Sequence, residues 1–282
     1  MIRTARLAVL PALLVLAACG DGNTVEPPAE DLTTSQEVAD LVRQRFEANI
    51  GDVDGFTVVG EGIEVRYTIS DDTTGMEPFT FQARPVSDAP VNAESAQLIQ
   101  NQVANGRILS RGLAGAQFGG TTTRDGRRAY VLSTDNPATL FGGPDARRDP
   151  SAGDVEMRVY VDAETFDLLE IYQGFDADSL ETPVTQRLIY SDFQTTDGLT
   201  LPRTVRQVTT GIQVQDEDRM IMGGQLGMER QRLQSMPQTP ERDARLAELD
   251  AQERFLREGV LEQTVEIDEV RVGAPAPFPD QP

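Results

Sequence analysis

The sequence predicts an α+β fold built on antiparallel strands, with helices against one face of the sheet. Short runs rich in Val, Ile, Leu, Tyr and Phe are separated by turn signals through most of the 282 residues. Asp-Gly pairs, which favour the two-residue turns of β-hairpins, occur at Asp125-Gly126 and Asp197-Gly198. The apolar period changes to that of helices between residues 216 and 259, which indicates a helical insertion among the strands.

The clearest strands form a meander from Glu156 to Val208. Strands are predicted at residues 157–161, 168–172, 187–193 and 201–208. The four residues from Asp162 to Thr165 are typical of a tight connection between the first two strands. The meander contains no catalytic motif, so it indicates architecture rather than activity.

An amphipathic helix is predicted at the start of the domain. Thr34 and Glu37 stand at capping-box spacing, and apolar residues recur at helical spacing from Val38 to Ile50. Packing on the core is favoured over lying on a membrane surface, because the polar side mixes acidic and basic residues. The chain then predicts a hairpin at 56–70, a strand at 79–84, a short helix at 92–104 ended by Gly106, and strands at 113–123 and 128–133.

A Pro/Gly-rich loop spans residues 134–153 and carries an apolar island, Leu140-Phe141. A loop of this length in a compact domain is usually functional or loosely ordered. Two interpretations remain for Leu140 and Phe141. They either tuck into the core or protrude as an apolar loop.

Residues 216–259 predict two antiparallel helices inserted between strands. Thr239 and Pro240 have the residue types of an N-cap and a first helical position. Acid-first pairs at i,i+4 spacing, Asp250/Arg254 and Glu253/Arg257 among them, are expected to support the second helix. The last strand is predicted at 264–272, so the hairpin would cover one face of an open sheet. The first helix carries a flexible apolar set that predicts either core packing or an adaptable lid: Met220, Met222, Leu226 and Met228.

The first residues have the pattern of a bacterial lipoprotein signal peptide. Arg3 and Arg6 precede a short apolar run, and Leu16-Ala17-Ala18-Cys19 reads as a lipobox. We therefore predict a signal peptide at 1–18 and a lipid anchor on Cys19, with acyl chains such as palmitate. A flexible tether at 19–33, the folded domain at 34–276 and a tail at 277–282 would follow. Gly20, rather than Asp, follows the cysteine, and this favours the outer membrane over inner-membrane retention.

The composition excludes several function classes. The formal charge is −21, all 25 basic residues are Arg, and the chain has no His and no Trp. So acidic a surface repels phosphate backbones, which argues against nucleic-acid binding. Without His or Lys, the usual nucleophile–base pairs, histidine metal sites and phosphate-loop lysines are missing. Carboxylates cluster in several places, but none follows calcium-loop spacing. We predict no enzyme activity, no cofactor and no metal.

The meander resembles a known family. The stretches YVDAETFDLLEIY, from Tyr160, and IYSDFQTTDGLTLPRTVR, from Ile189, resemble the strand-turn-strand pattern of outer-membrane lipoprotein-sorting proteins. These are relatives of the periplasmic carrier LolA, its receptor LolB and the stress sensor RseB. The resemblance covers the meander and the last strand. It implies a strongly curved, unclosed half-barrel of about nine to eleven strands, with helices covering an apolar concave face.

The resemblance also implies a function. A water-excluding concavity would hold acyl chains, since each buried methylene contributes about 0.8 kcal/mol. The chain is then expected to bind lipid or a lipidated protein on the periplasmic face of the outer membrane. The alternative is an RseB-like sensor or interaction module whose partner is an envelope protein. Eight apolar strand residues are predicted either to line the concavity or to form an ordinary filled core: Val159, Val161, Leu169, Ile171, Leu188, Tyr190, Val265 and Ile267.

Overall fold

The computed structural model describes residues 32–69, 79–86, 95, 98–99, 106–139, 154–176 and 183–276. The predicted signal peptide, Cys19, the Leu140-Phe141 island and the tail lie outside the described residues. Four helices have described bounds: α1 Ser35–Ile50, α2 Gly106–Leu113, α3 Asp216–Gln234 and α4 Pro240–Glu258. Among the described helices, none combines the length and the apolar character needed to cross a membrane.

The described strands are antiparallel, and the predicted α+β class is confirmed. Their bounds are β1 Gly55–Gly60, β2 Ile63–Ile69, β3 Phe79–Pro85, β4 Gln117–Arg124, β5 Arg127–Thr134, β6 Asp154–Asp162, β7 Leu168–Asp176, β8 Val184–Thr196, β9 Leu199–Thr210, β10 Leu261–Glu266 and β11 Glu269–Val272. Pairing divides them into a four-stranded sheet, β11-β1-β2-β3, and a seven-stranded sheet, β10-β9-β8-β7-β6-β5-β4. The predicted meander is the middle of the larger sheet.

The two sheets are joined between β10 and β11, within the segment for which the sequence predicts a single last strand. The prediction of one strand over 264–272 is wrong, because the chain changes sheets at Ile267 and Asp268. The Ile267 amide donates to the Arg203 carbonyl of β9 at 2.8 Å, and the Asp268 amide donates to the Val59 carbonyl of β1 at 2.9 Å. The chain therefore leaves the larger sheet and enters the smaller one within two residues.

The predicted hairpin turns are confirmed. Asp125 and Gly126 have φ of 47° and 81°, and Asp197 and Gly198 have φ of 47° and 87°. Positive φ at both central residues is the signature of the type I′ turn, whose twist matches that of the flanking strands. The connection after β6 is also confirmed as tight, since the Asp162 Oδ1 accepts the Thr165 amide at 2.8 Å.

The core consists of two main clusters. One lies between the sheets and includes Phe56, whose ring stacks on Tyr67 with centroids 4.5 Å apart. The other lies between the larger sheet and the helices α1 and α2. Helix α1 begins with the predicted capping box at Thr34 and buries its apolar side, so core packing rather than membrane contact is confirmed for it.

Helix α2 was not predicted. The sequence pattern predicts that Gly106 ends the preceding helix and that a strand begins at Leu113. Gly106 instead begins α2, directly against Phe46 of α1. A Cβ at position 106 would lie 2.3 Å from the Phe46 Cβ, so the glycine permits close helix packing here. Arg107 then joins the helices, donating through Nε to the Glu47 Oε1 at 2.6 Å.

The inserted hairpin of α3 and α4 is confirmed, with Thr239 as N-cap and Pro240 at the first helical position. Its buried leucines form a cluster of their own, in which the described residues include none from either sheet: Leu226, Leu233, Leu249 and Leu256. The predicted acid-first pairs within α4 are wrong at Asp250 and Glu253. Both carboxylates pair with Arg230 of α3, so these charges join the two helices instead of supporting one.

Glu64 is a buried carboxylate of the smaller sheet that two arginines hold. Arg66 Nε donates to its Oε1 at 2.8 Å, and an Arg84 terminal nitrogen donates to Oε2 at 3.1 Å. Burial by itself raises the pKa of Glu64. The hydrogen bonds from Arg66 and Arg84 outweigh burial, so the pKa of Glu64 lies below its ordinary value.

This lowered pKa predicts a loss of stability in acid. A carboxylate with a depressed folded-state pKa stabilises the fold fully above its ordinary pKa of 4.5. That contribution disappears as the pH falls through the folded-state pKa. Glu64→Gln should therefore lower the free energy of unfolding at pH 7, and the difference from wild type should shrink at about pH 3. Urea denaturation at the two pH values measures both differences. Equal differences at both would contradict the prediction.

Candidate ligand-binding cleft

An apolar cleft lies between α1, α2 and the adjoining ends of β8 and β9. Its volume is about 80 Å³. Helix α1 forms one wall and the strands form the other, while α2 and the connection between β6 and β7 close the sides. The apolar side chains that line it include Val42, Phe46, Leu109, Phe166, Tyr190, Phe193, Leu199 and Leu201.

Two polar contacts hold the C-terminal half of α1 over the cleft. The Asn49 side chain binds the backbone of Thr200 twice. Its Nδ2 donates to the Thr200 carbonyl at 2.8 Å, and its Oδ1 accepts the Thr200 amide at 2.7 Å. One turn earlier, Arg45 Nε donates to the Asp167 Oδ1 at 3.0 Å, and both side chains are nearly buried. These contacts fasten the helix to the sheet beside the apolar wall.

The cleft has the chemistry of a binding site for an apolar group. Its charged lining residues, within the described part of the chain, are Arg45 and Asp167, which pair with each other. Burial raises the pKa of Tyr190 far above its ordinary value, so the phenol stays neutral. A mostly apolar wall with a few fixed polar groups is typical of small-molecule sites.

The eight residues predicted to line a concavity are dispersed. Tyr190 lines the cleft. Val159, Val161 and Ile171 pack in the cluster under α1 and α2. Leu188, Val265 and Ile267 pack in the cluster between the sheets. At these six positions the side chains contribute to the core rather than to the wall of the cleft.

Leu169 lies on the face of the larger sheet that points away from α1 and α2. A bulge interrupts the pairing of β6 with β7 after Tyr160, so both Leu169 and Glu170 stand opposite that residue. Leu169 therefore packs with Ala129 and Tyr160 on the face away from the helices. The expectation that it shares a surface with Ile171 is wrong.

The predicted lid residues also separate. Met220, Met222 and Met228 are exposed by 78%, 41% and 68%, so the expectation of core packing is wrong for these three. Leu226 is buried within the helical hairpin. None of the four lines the cleft as far as the described residues define it.

Arg45 and Asn49, which fasten α1 to the sheet side, were not among the residues predicted from the sequence. Arg45 and Asn49 interrupt an apolar helix face one turn apart, and Arg45 is only 8% exposed. A polar residue on the buried side of an amphipathic helix was the available signal, because such a group needs a partner in the fold. Within the described ranges, no group of three or more acidic, His or Cys side chains is arranged to hold a metal.

Comparison with family models, with curated proteins and with solved structures finds no match to the chain.

Proposed function

We propose that this chain is a lipoprotein of the cell envelope that binds an acyl chain, of a lipid or of a lipidated protein, under α1. The observation that carries the proposal is the apolar cleft, in which an aliphatic and aromatic wall surrounds a neutral buried phenol. An acyl chain gains about 0.8 kcal/mol for each methylene removed from water.

The cleft must widen to accept such a ligand. Its volume of about 80 Å³ is well below the roughly 300–1,000 Å³ of ordinary ligand sites. The Arg107–Glu47 pair joins α2 to α1, whereas the Arg45–Asp167 and Asn49–Thr200 contacts join α1 to the sheet side. We propose that the contacts to the sheet side open while the two helices move together.

The remaining elements of the proposal concern family and location. The two sheets, joined at Ile267, would form the curved half-barrel of the lipoprotein-sorting family that the meander resembles. A lipidated Cys19 would anchor the chain at the outer membrane, facing the periplasm, with residues 19–33 as the tether. The acidic surface favours cargo recognition through apolar groups over binding to anionic lipid head groups.

A second function is an RseB-like sensor or interaction module that contacts an envelope protein without carrying lipid. The small volume of the cleft and the filled core at six of the predicted lining positions favour this alternative. The two functions differ in whether the isolated domain retains an acyl ligand.

Filling the cleft should weaken ligand binding. Val42 is 6% exposed and lines the cleft, so Val42→Phe places a ring where an acyl chain would lie. We expect at least about 10-fold weaker binding of a fluorescent fatty acid to residues 20–282, with a stability loss of about 1–3 kcal/mol from overpacking. Fluorescence titration measures the affinity, and native mass spectrometry detects retained lipid.

The matched control is Val131→Phe, on the opposite face of the larger sheet, where Val131 packs against the cluster of Tyr160. It should lose comparable stability and keep its affinity for the fatty acid. A wild-type domain that neither retains lipid nor binds the probe would exclude the acyl-binding proposal and favour the sensor.

A further inference from the structure

Helix α3 exposes a continuous apolar stripe on the side opposite its contact with α4. Leu226 and Leu233 are buried against α4. Residues about half a turn away point outward, and Met220, Ile221 and Met228 are exposed by 78%, 54% and 68%. Exposed apolar residues that cluster on one surface mark interaction sites more often than scattered ones do.

A glycine lies at the centre of this stripe, and the described part of the chain shows no packing contact that requires it. Gly224 has an ordinary helical backbone, and a Cβ added there would meet no atom of the described residues within 4 Å. Glycine in a helix interior weakens the helix relative to alanine. Its advantage is that the surface of another helix can approach the backbone closely.

The two ends of the stripe carry opposite charges at symmetric positions. Glu217 lies at its N-terminal end and Arg232 at its C-terminal end, and both are exposed. The midpoint between Glu217 and Arg232 coincides with the midpoint between Ile221 and Met228, and it falls at Gly224-Gln225. A second α3 laid antiparallel across this point would place each Glu217 against the other Arg232 and each Ile221 against the other Met228.

We propose that this stripe is a self-association surface, through which α3 pairs antiparallel with α3 of a second copy about a two-fold axis near Gly224. An isologous contact of this kind requires a self-complementary surface, and both the charges and the apolar residues meet that requirement. A parallel pair would oppose like charges. A membrane surface fits less well, because Asp216, Glu217 and Asp218 at the start of α3 would face anionic head groups.

The surface does not involve the acyl-binding cleft, so the proposal stands independently of the ligand. Ile221→Cys/Met228→Cys in the full chain should give efficient dimer crosslinking with a short thiol-reactive crosslinker. The matched control is Ala247→Cys/Ala251→Cys on the exposed side of α4, which should crosslink at background level. Equal crosslinking of both pairs, or crosslinking of the first pair to a different protein, would overturn the proposal.

A charge exchange tests the antiparallel register. Glu217→Arg and Arg232→Glu, each alone, oppose like charges twice in the dimer and should weaken self-association about 10-fold. The double variant restores both pairs and should recover wild-type association. Sedimentation equilibrium of the full chain in detergent micelles measures the affinity, with circular dichroism as the check on folding. A wild-type chain that stays monomeric, or a double variant as weak as the single variants, would refute the register and the surface.

Discussion

Replacing Cys19 by Ala is expected to release the protein completely from membranes. The apolar run before Cys19 and the small residues at 17 and 18 predict that this cysteine carries the lipid anchor. One acyl chain gives only marginal membrane binding, whereas two or more give stable anchoring. The chain offers little electrostatic attraction to anionic lipids, since its formal charge of −21 is strongly negative. The anchor is therefore expected to account for membrane association.

Metabolic labelling with a palmitate analogue and fractionation of the membranes measure the two consequences. The Cys19→Ala chain should lose the label and move to the soluble fraction. Gly20→Asp is the matched control, since it keeps the cysteine. It should retain the label while shifting the protein toward the inner membrane. Labelled or membrane-bound Cys19→Ala protein would refute the lipobox interpretation.

The features that were predicted correctly from the sequence are local. An Asp-Gly turn, a capping box at Thr34 or a Thr239-Pro240 helix start depends on residues within a few positions of each other. The structure confirms each of them. The chemistry of such a motif is complete within the motif, so no knowledge of the rest of the fold is required.

The division into two sheets depends on distant partners. Residues 264–272 have the composition of one strand, but β9 binds the first part and β1 binds the second. Leu169 shows the same limit on a smaller scale, because one bulge reverses the face on which it lies. Gly106 has the residue type of a helix end, and only its contact with Phe46 explains its place at a helix start.

The position of the cleft could not be predicted from the sequence, because it also depends on contacts between distant residues. Apolar strand residues have the same sequence pattern whether they line a cavity or fill a core. The pattern at the eight predicted lining positions therefore does not distinguish a cavity from a filled core. The cleft lies where α1 meets β9, and its position depends on contacts such as Asn49 with Thr200, which are far apart in the chain. The exposure of the methionines on α3 likewise depends on which side of that helix is covered by α4.

Glu170→Ala is expected to be among the most destabilising substitutions on the larger sheet, at about 2–3 kcal/mol. Glu170 is 2% exposed on the face away from the helices. Arg187 holds it through two hydrogen bonds, of 2.7 Å from Nε and 2.8 Å from a terminal nitrogen, and this raises the pKa of Arg187. Arg124 lies 3.8 Å from the same carboxylate and stacks on Tyr160 at 3.9 Å.

Removing the carboxylate leaves the guanidinium groups of Arg124 and Arg187 without the acid that lies beside both of them. The Arg124 Nε is already buried without a hydrogen bond to any described residue, so the region has little capacity to satisfy further donors. The expected loss is below that of a fully buried pair, because both arginines are about one-third exposed and water reaches them. Urea denaturation at pH 7 measures it.

Glu156→Ala provides the matched control on the neighbouring strand. Glu156 also pairs with an arginine, Arg158, at 2.7 Å, but both partners are exposed by more than 40%. That variant should lose no more than about 0.5 kcal/mol, because water replaces the pair. The difference between the two variants isolates the effect of burial. Equal losses would show that Glu170 is no more than a surface ion pair. A double variant, Glu170→Leu/Arg187→Leu, should recover part of the loss, because it leaves one guanidinium group, that of Arg124, without the carboxylate instead of two.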